Sequence, residues 1–479
     1  MKTGTPFPTR TGDADFAQGW LARGARVGVR AEREAAGGDV AADRSGIGQA
    51  DGLTRAGPSG DTFHMPIVVQ KYGGTSVADA DKIRAVAERV MRTRAQGYDV
   101  CVVVSAMGDT TDDLLGLAKK ISPNPDRREL DMLLTTGERV SMALLSIAIR
   151  ELGGDAISFT GSQSGIVTND RHADARIIEV RPFRVQDELA RGRIVVIAGY
   201  QGMSYRREVT TLGRGGSDTT AVAMAAALGA EWCEICSDVD GVYTTDPRVV
   251  PAARRIGTLN YEETQEMAEA GAKVLNAQAV EFAKQHGIAI YARATAGPLP
   301  GPDPSADGSV IRKDAPRPPG TVVGVASEKD VLVLQSRGAT GELLAFLDEL
   351  SVCGKQLHVA DFGAPAGSER ASADGLNMVL SRENLHEEDR FRRGLAERFG
   401  DAVRLLDGIG AVSAIGAGIN TSYKNVRTGS AALAAAGIQP RGLSTSSFRI
   451  SWLLPDAVVN DAVRALHRVF IEEAAHPVP

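Results

Sequence analysis

Two glycine-rich turns carry the residues best suited to chemistry. The first, Gly213-Arg214-Gly215-Gly216-Ser217-Asp218-Thr219-Thr220, places paired glycines, a cation, a hydroxyl and a carboxylate before the Ala-rich run Ala221 to Leu228. That run reads as a helix, so the turn aims backbone N–H groups and a positive helix end at whatever lies above it. The second, Lys71-Tyr72-Gly73-Gly74-Thr75-Ser76, follows the apolar run Ile67-Val68-Val69 and precedes another helical pattern. Two strand-to-helix turns, one led by arginine and one by lysine, suit a bound polyphosphate. Neither matches the G-x-x-x-x-G-K-[ST] or G-x-G-x-x-G pattern. A different nucleotide-binding fold is therefore expected.

The elements that must position these turns alternate between strand and helix. Short β-branched runs stand at Ile67–Gln70, Val100–Ser105, Ile194–Ala198, Glu231–Cys236 and Ile288–Ala292. Amphipathic patterns fill the intervals at Lys82–Arg94, Leu133–Arg150 and Glu262–Gln285. Such alternation predicts an α/β domain over 65–295, a mostly parallel sheet with helices on both faces. Residues 296–320 hold seven of the chain's 21 prolines and read as a linker. Beyond them two sets of shorter elements, divided at 321–408 and 409–475, read as a divergent repeat of a small α+β unit.

Bulk properties narrow the function. The 479 residues allow several domains, and 43% hydrophobic with 24% charged residues is ordinary for a globular protein. A net charge of −6 argues against a general nucleic-acid binder. No apolar stretch approaches the ~18–20 residues of a membrane span. Four cysteines form no disulfide framework, which points to the cytoplasm. Cys233 and Cys236 make a C-x-x-C match, but residues three apart on a strand face opposite sides, so buried strand cysteines are expected instead of a metal or redox pair. Residues 1–64 balance eight basic against eight acidic side chains without hydrophobic periodicity, and read as a disordered extension. Met65-Pro66 directly precedes the first core strand, so Met65 is the expected start, or 1–64 a dispensable tail.

Six motifs in order resemble the aspartate kinases of the amino-acid-kinase superfamily. They are Lys71–Val77, Val103–Asp112, Leu134–Arg139, Phe159-Thr160-Gly161, Gly213–Thr220 and Ser237–Arg248. The resemblance implies a three-layer αβα fold and phosphoryl transfer from MgATP to the β-carboxylate of L-aspartate, giving 4-phospho-L-aspartate. That product opens the biosynthesis of lysine, threonine and methionine. It implies Lys71 and Asp218 as catalytic residues, with Asp218 orienting Lys71; a plain helix cap is the competing reading of Asp218. Arg214 would pair with the α-carboxylate and Glu138 with the α-ammonium, with Ser105, Thr110 and Ser217 beside them. ATP would lie against Lys71, Tyr72, Gly73, Gly74, Ser237, Asp238, Tyr243, Asp246, Pro247, Arg248 and Lys273. Mg2+ would ride on ATP oxygens and water, without a protein ligand.

The chain also departs from the family pattern. Asn276-Ala277-Gln278 stands where the family has His-Pro-Arg. The C-terminal half resembles a pair of ferredoxin-like ACT domains that bind amino-acid effectors. Leu443–Ser451 fits the second, whereas Ser336–Gly341 and Gln356–Asp361 diverge in the first. Altered or absent lysine and threonine feedback is the expectation, in a homo-oligomer without nucleic-acid or membrane partners. Two other readings compete: a paralogue acting on an aspartate analogue, and a non-catalytic regulator binding ATP and an amino acid.

Overall fold

The computed structural model describes residues 65–474, apart from 273–274, 338–339, 351, 353, 360–374, 381, 383–384 and 386. The extension 1–64 and Lys273 lie outside the described residues.

The central element is an eight-stranded sheet. Its order is Thr258–Leu259, Gly308–Ile311, Ile290–Ala294, Trp232–Ser237, Ile67–Tyr72, Asp99–Val104, Ile194–Ala198 and Ala156–Phe159. Every neighbouring pair is parallel except Ile290–Ala294 with Gly308–Ile311. All six residues of Asp99–Val104 are buried, as a strand covered on both faces requires. Cys101 and Val103 enter the core under the helices Gly216–Leu228 and Ala277–His286. Val100, Val102 and Val104 face the helices Ala80–Ala95 and Thr136–Glu151 on the other side. Cys233 and Cys236 divide in the same way between the two cores, both fully buried, and burial pushes both thiols up. No cluster of metal-ligating side chains occurs among the described residues. A smaller sheet, ordered Ile177–Val180, Ile166–Thr168, Gln201–Ser204 and Val209–Thr211, stands beside the main one.

Three expectations change. Glu262–Gln285 is two helices, Tyr261–Glu269 and Ala277–His286, because Gly271 at φ 104° takes a backbone turn that a helix cannot continue. The proline-rich segment is not all linker: Gly308–Ile311 is fully buried and joins the main sheet, with Ser309 Oγ accepting from Val242 N–H at 2.8 Å. Composition concealed a four-residue strand between prolines. The helices Arg127–Leu134 and Thr136–Glu151 run on as 25 residues, long and apolar enough to cross a membrane by length and composition. Leu130, Leu134, Leu145 and Ile149 nonetheless place this run against the folded core.

The C-terminal part is one six-stranded sheet, ordered Gly354–Val359, Gly375–Leu380, Gly324–Arg337, Val403–Ile415, Arg449–Pro455 and Gly442–Thr445. Two ferredoxin-like units share its long central strands. Residues 332–337 of Gly324–Arg337 pair with Gly375–Leu380 in one unit, over a core of Leu332, Leu334, Leu343 and Phe391. Residues 409–415 of Val403–Ile415 pair with Arg449–Pro455 in the other, over Val325, Val412, Trp452 and Leu466. The units are interleaved, so the linear division at 408/409 falls inside a shared strand. Strands of 14 and 13 residues are long enough to serve both.

A buried ionic cluster fixes the main sheet to the segment that leaves it. Glu234, wholly buried, accepts from Arg89 at 2.6 Å and from Gln70 at 2.7 Å. Arg89 also donates to the carbonyls of Gly297 and Pro298. Arg89→Met would leave Glu234, among the described residues, with only Arg293 at 3.7 Å as a cation. We expect a loss of about 3–5 kcal/mol in urea denaturation; a loss below about 1 kcal/mol would remove this cluster as an anchor.

Candidate active site

Four adjacent parallel strands end side by side, and their outgoing turns form one row, the usual ligand position in an open α/β sheet. The ladder continues past the strand ends: Gly73 N–H donates to Cys236 O at 3.2 Å, Ser105 N–H to Tyr72 O at 3.1 Å, and Gly199 N–H to Val104 O at 2.9 Å. At Gly74 a β-carbon would stand 2.9 Å from Ala106 O and 3.0 Å from Gly108 O. The Lys71 and Ser105 turns therefore meet backbone to backbone, which only glycine permits.

Lys71 projects from its strand so that Nζ lies 2.6 Å from Asp218 Oδ1, with side-chain exposures of 12% and 9%. Asp218 sits in the first turn of Gly216–Leu228, whose cap position is Gly215 at φ 73°, so the carboxylate turns to Lys71 and leaves capping to the backbone. Ser217, beside it, is buried against the Gly199 turn.

Glu138 opens a second pole. It lies in the first turn of Thr136–Glu151, is 2% exposed, and accepts from Ala106 N–H at 3.2 Å through Oε1. Its Oε2 has no hydrogen-bond partner among the described residues. Desolvation pushes the carboxyl up to about 7, against the hydrogen bonds from its own N–H and that of Ala106. A buried acceptor of this kind suits an incoming ammonium. Ser105 and Thr110 flank it on the same turn, and Thr110 Oγ1 donates to Met107 O at 2.6 Å. Arg214 stands exposed on the glycine loop, 3.4 Å from Asp112 Oδ1.

On the far side of Lys71, Ser237 is tied to the Gly73-Gly74 turn through Thr295. Thr295 N–H donates to Ser237 O at 2.8 Å, and its hydroxyl lies 2.6 Å from Ser76 Oγ. Tyr243 donates to Asp240 at 2.9 Å, while Arg248 engages Asp246 through Nε at 3.0 Å and a terminal nitrogen at 2.8 Å. Asp238 and Pro247 belong to the same loop. Tyr72 is not brought to the site: its ring is fully buried and its hydroxyl donates to Gln70 at 3.3 Å. On a strand the residue after Lys71 must face the opposite layer.

Sequence reasoning missed two residues. Tyr200, a non-glycine at φ 69°, packs against Gly216, and burial holds its phenol above the usual tyrosine range, against the hydrogen bond to Thr211. Asn276, noted only as a departure, donates to Arg214 O at 2.9 Å and accepts from Thr219 Oγ1 at 3.3 Å. It also caps Ala277–His286 by accepting from Gln278 and Ala279 N–H. Asn276 gave no signal in the sequence, because its contact is with a backbone carbonyl 62 residues away.

The amino acid kinase family model matches residues 66–292. The aspartokinase of Mycobacterium tuberculosis is 46% identical over 418 residues, covering 85% of this chain and 96% of that protein. That of Corynebacterium glutamicum is 42% identical over 412 residues, with the same coverage of each. The chain belongs to the aspartokinase family. Among solved structures, Escherichia coli aspartokinase III with aspartate and ADP shares the fold, at a TM-score of 0.71 and 24% identity over 84% of this chain and 99% of that one. In this aspartokinase, Asn276 clamps the arginine loop.

Asn276→Asp retains every accepted bond and the helix cap but sets a carboxylate against Arg214 O. We expect KM for the amino-acid substrate to rise about tenfold with little change in melting temperature; an unchanged KM would show that the loop holds itself. Glu138 supplies a stability test. The unfolded chain releases this proton near ~4.3, the folded chain at about 7. Folded protein therefore binds the extra proton between these values, and stability falls as pH rises through that window, then levels off. Glu138→Gln should be about 2–3 kcal/mol more stable than the parent at pH 8. Equal denaturation midpoints there would contradict the burial argument.

Proposed function

We propose that this aspartokinase transfers the γ-phosphoryl group of ATP to the β-carboxylate of L-aspartate, supplying 4-phospho-L-aspartate to lysine, threonine and methionine biosynthesis. The observation that carries the reading is the buried Glu138, whose Oε2 has no hydrogen-bond partner among the described residues, in the same domain as the Lys71–Asp218 ion pair. Glu138 takes the α-ammonium and Arg214 the α-carboxylate, a bidentate match for a planar guanidinium. An amino acid so held turns its side-chain carboxylate toward Lys71.

The reaction joins a carboxylate oxygen to the γ-phosphorus while the bond from that phosphorus to the β,γ-bridging oxygen breaks, leaving ADP. The nucleophile is already ionised at neutral pH, so no general base is needed. The difficulty is charge, since one anion must approach another. Lys71 meets that charge where it spreads across the transferring group, and Asp218 fixes the ammonium so that little reorganisation is required. The helix that starts at Gly216 adds the positive end of its backbone dipole. Ser105, Thr110 and Ser217 offer hydroxyls around the acceptor, and Ser237, Asp238, Tyr243, Asp246, Pro247 and Arg248 border the nucleoside side. When bound with the nucleotide, Mg2+ would neutralise phosphate charge, with ATP oxygens and water as its ligands. An amino-acid effector on the C-terminal units and a homo-oligomeric assembly complete the proposal.

The deciding assay is ADP release with MgATP, with and without L-aspartate, beside β-substituted aspartates and glutamate, with the acyl phosphate trapped as a hydroxamate. Aspartate-dependent hydroxamate is the expected result, and Lys71→Met and Asp218→Asn should each lower kcat by at least about a hundredfold. Turnover only with an analogue would move the acceptor, and none with any carboxylate would leave a binding protein.

A further inference from the structure

The loop that carries Tyr243, Asp246 and Arg248 is held by Thr244, whose polar groups are all committed. Its N–H donates to Arg254 O at 2.8 Å, and its carbonyl accepts from Val325 N–H at 2.7 Å. Its Oγ1 accepts from Arg254 N–H at 3.0 Å and lies 2.9 Å from His467 Nε2. Val325 and His467 both belong to the C-terminal units, on the strand Gly324–Arg337 and the helix Val459–His467.

His467 is fully buried, and its Nδ1 lies 2.8 Å from Glu472 Oε1. Residues five apart do not share a face of an α-helix at 3.6 residues per turn. Here the chain passes into a π-helical turn, Arg468–Glu472, with Glu473 N–H on Arg468 O at 2.9 Å. The wider turn carries Glu472 back over the imidazole. Arg254 ties the same turn by donating to Ile471 O at 3.1 Å. The donor inventory then orders the protons. An ionised carboxylate only accepts, so Nδ1 carries hydrogen toward Glu472. In the neutral imidazole with its hydrogen on Nδ1, Nε2 accepts the proton of Thr244 Oγ1, which itself accepts from Arg254 N–H.

We infer that His467 is a positioning residue for the nucleotide: through Thr244 it sets the Tyr243–Arg248 loop, so nucleotide affinity depends on a side chain of the C-terminal units. This rests on the nucleotide role proposed for that loop. Packing alone does not account for the arrangement. Val463, Leu466 and Phe470 fill the surrounding core without polar atoms, whereas His467 joins two elements by a continuous relay. The π-turn exists where that relay needs Glu472, and such turns often mark functional positions.

The test measures MgADP affinity of the full-length protein by calorimetry, beside aspartate-dependent turnover and melting temperature. His467→Ala and Thr244→Val are each expected to weaken MgADP about tenfold, with KM for aspartate unchanged. The double variant should lose less than the product of the two single losses, because the Thr244–His467 contact is removed in both. His467→Gln, able to accept from Thr244 and donate to Glu472, should restore most of the affinity. Multiplicative losses in the double variant, or lower melting temperatures with unchanged MgADP affinity, would overturn the inference. A parent protein that binds MgADP but does not turn over aspartate would remove the acceptor assignment, and the same MgADP cycle would still decide the role of His467.

Discussion

The Lys71–Asp218 ion pair makes demands that the surrounding architecture meets. Two charged groups held at 2.6 Å with about nine-tenths of each side chain buried are costly to desolvate, and the attraction offsets that cost only with fixed geometry. Lys71 is fixed by a strand with parallel partners on both sides. Asp218 is fixed by a helix lying on the sheet through Ala221, Val222, Met224 and Ala225. The small residues let that helix approach closely, so the carboxylate reaches the strand end without a long, flexible side chain. The ionic cluster at Glu234 steadies the same sheet from the opposite layer, through Arg89 on the helix Ala80–Ala95.

Asp218 and Glu138 show how one fold gives two carboxylates different tasks. Asp218 already has its cation, so its charge is compensated before any ligand arrives. Glu138 is more deeply buried and lacks a cation; desolvation therefore dominates and holds its proton to about pH 7. A substrate ammonium would supply the missing charge. The site thus gives up folding stability at Glu138 above that pH in exchange for an acceptor ready for a cation, a common trade where function requires an unsatisfied group.

Legibility from sequence followed the distance over which each signal acts. Strand ends and glycine turns are local, so the row formed by Lys71, Ser105 and Ser237 could be read from apolar runs meeting glycine or hydroxyl residues. The divergence of Cys233 and Cys236 followed from strand periodicity alone. Tyr72 was misplaced because a motif names residues without saying which way they face, although the same periodicity turns it into the core. Gly308–Ile311 was hidden by flanking prolines, since four residues carry too little pattern to outweigh composition. Asn276 and His467 were invisible for another reason: each acts on a backbone or hydroxyl group far along the chain, and no residue type advertises such a partner.

The interleaving of the C-terminal units follows from strand length and reaches back to the site. Because Gly324–Arg337 completes both units, neither can shift along its sheet without moving the strand that also bonds Thr244 through Val325. Arg449, on the strand beyond Val403–Ile415, pairs with Glu266 at 3.1 Å, and Ser446 donates to the same carboxylate at 2.8 Å, binding the units to the helix Tyr261–Glu269. Contacts from the C-terminal units thus reach Thr244 and the helix Tyr261–Glu269, whereas Glu138 and Arg214 are held by turns of the kinase unit itself. A displacement within the shared sheet would therefore act first on the loop around Thr244 and only secondarily on the turns that carry Glu138 and Arg214. The asymmetry comes from which strand is shared, and it makes the loop around Thr244 the part of the kinase unit most directly coupled to the C-terminal half.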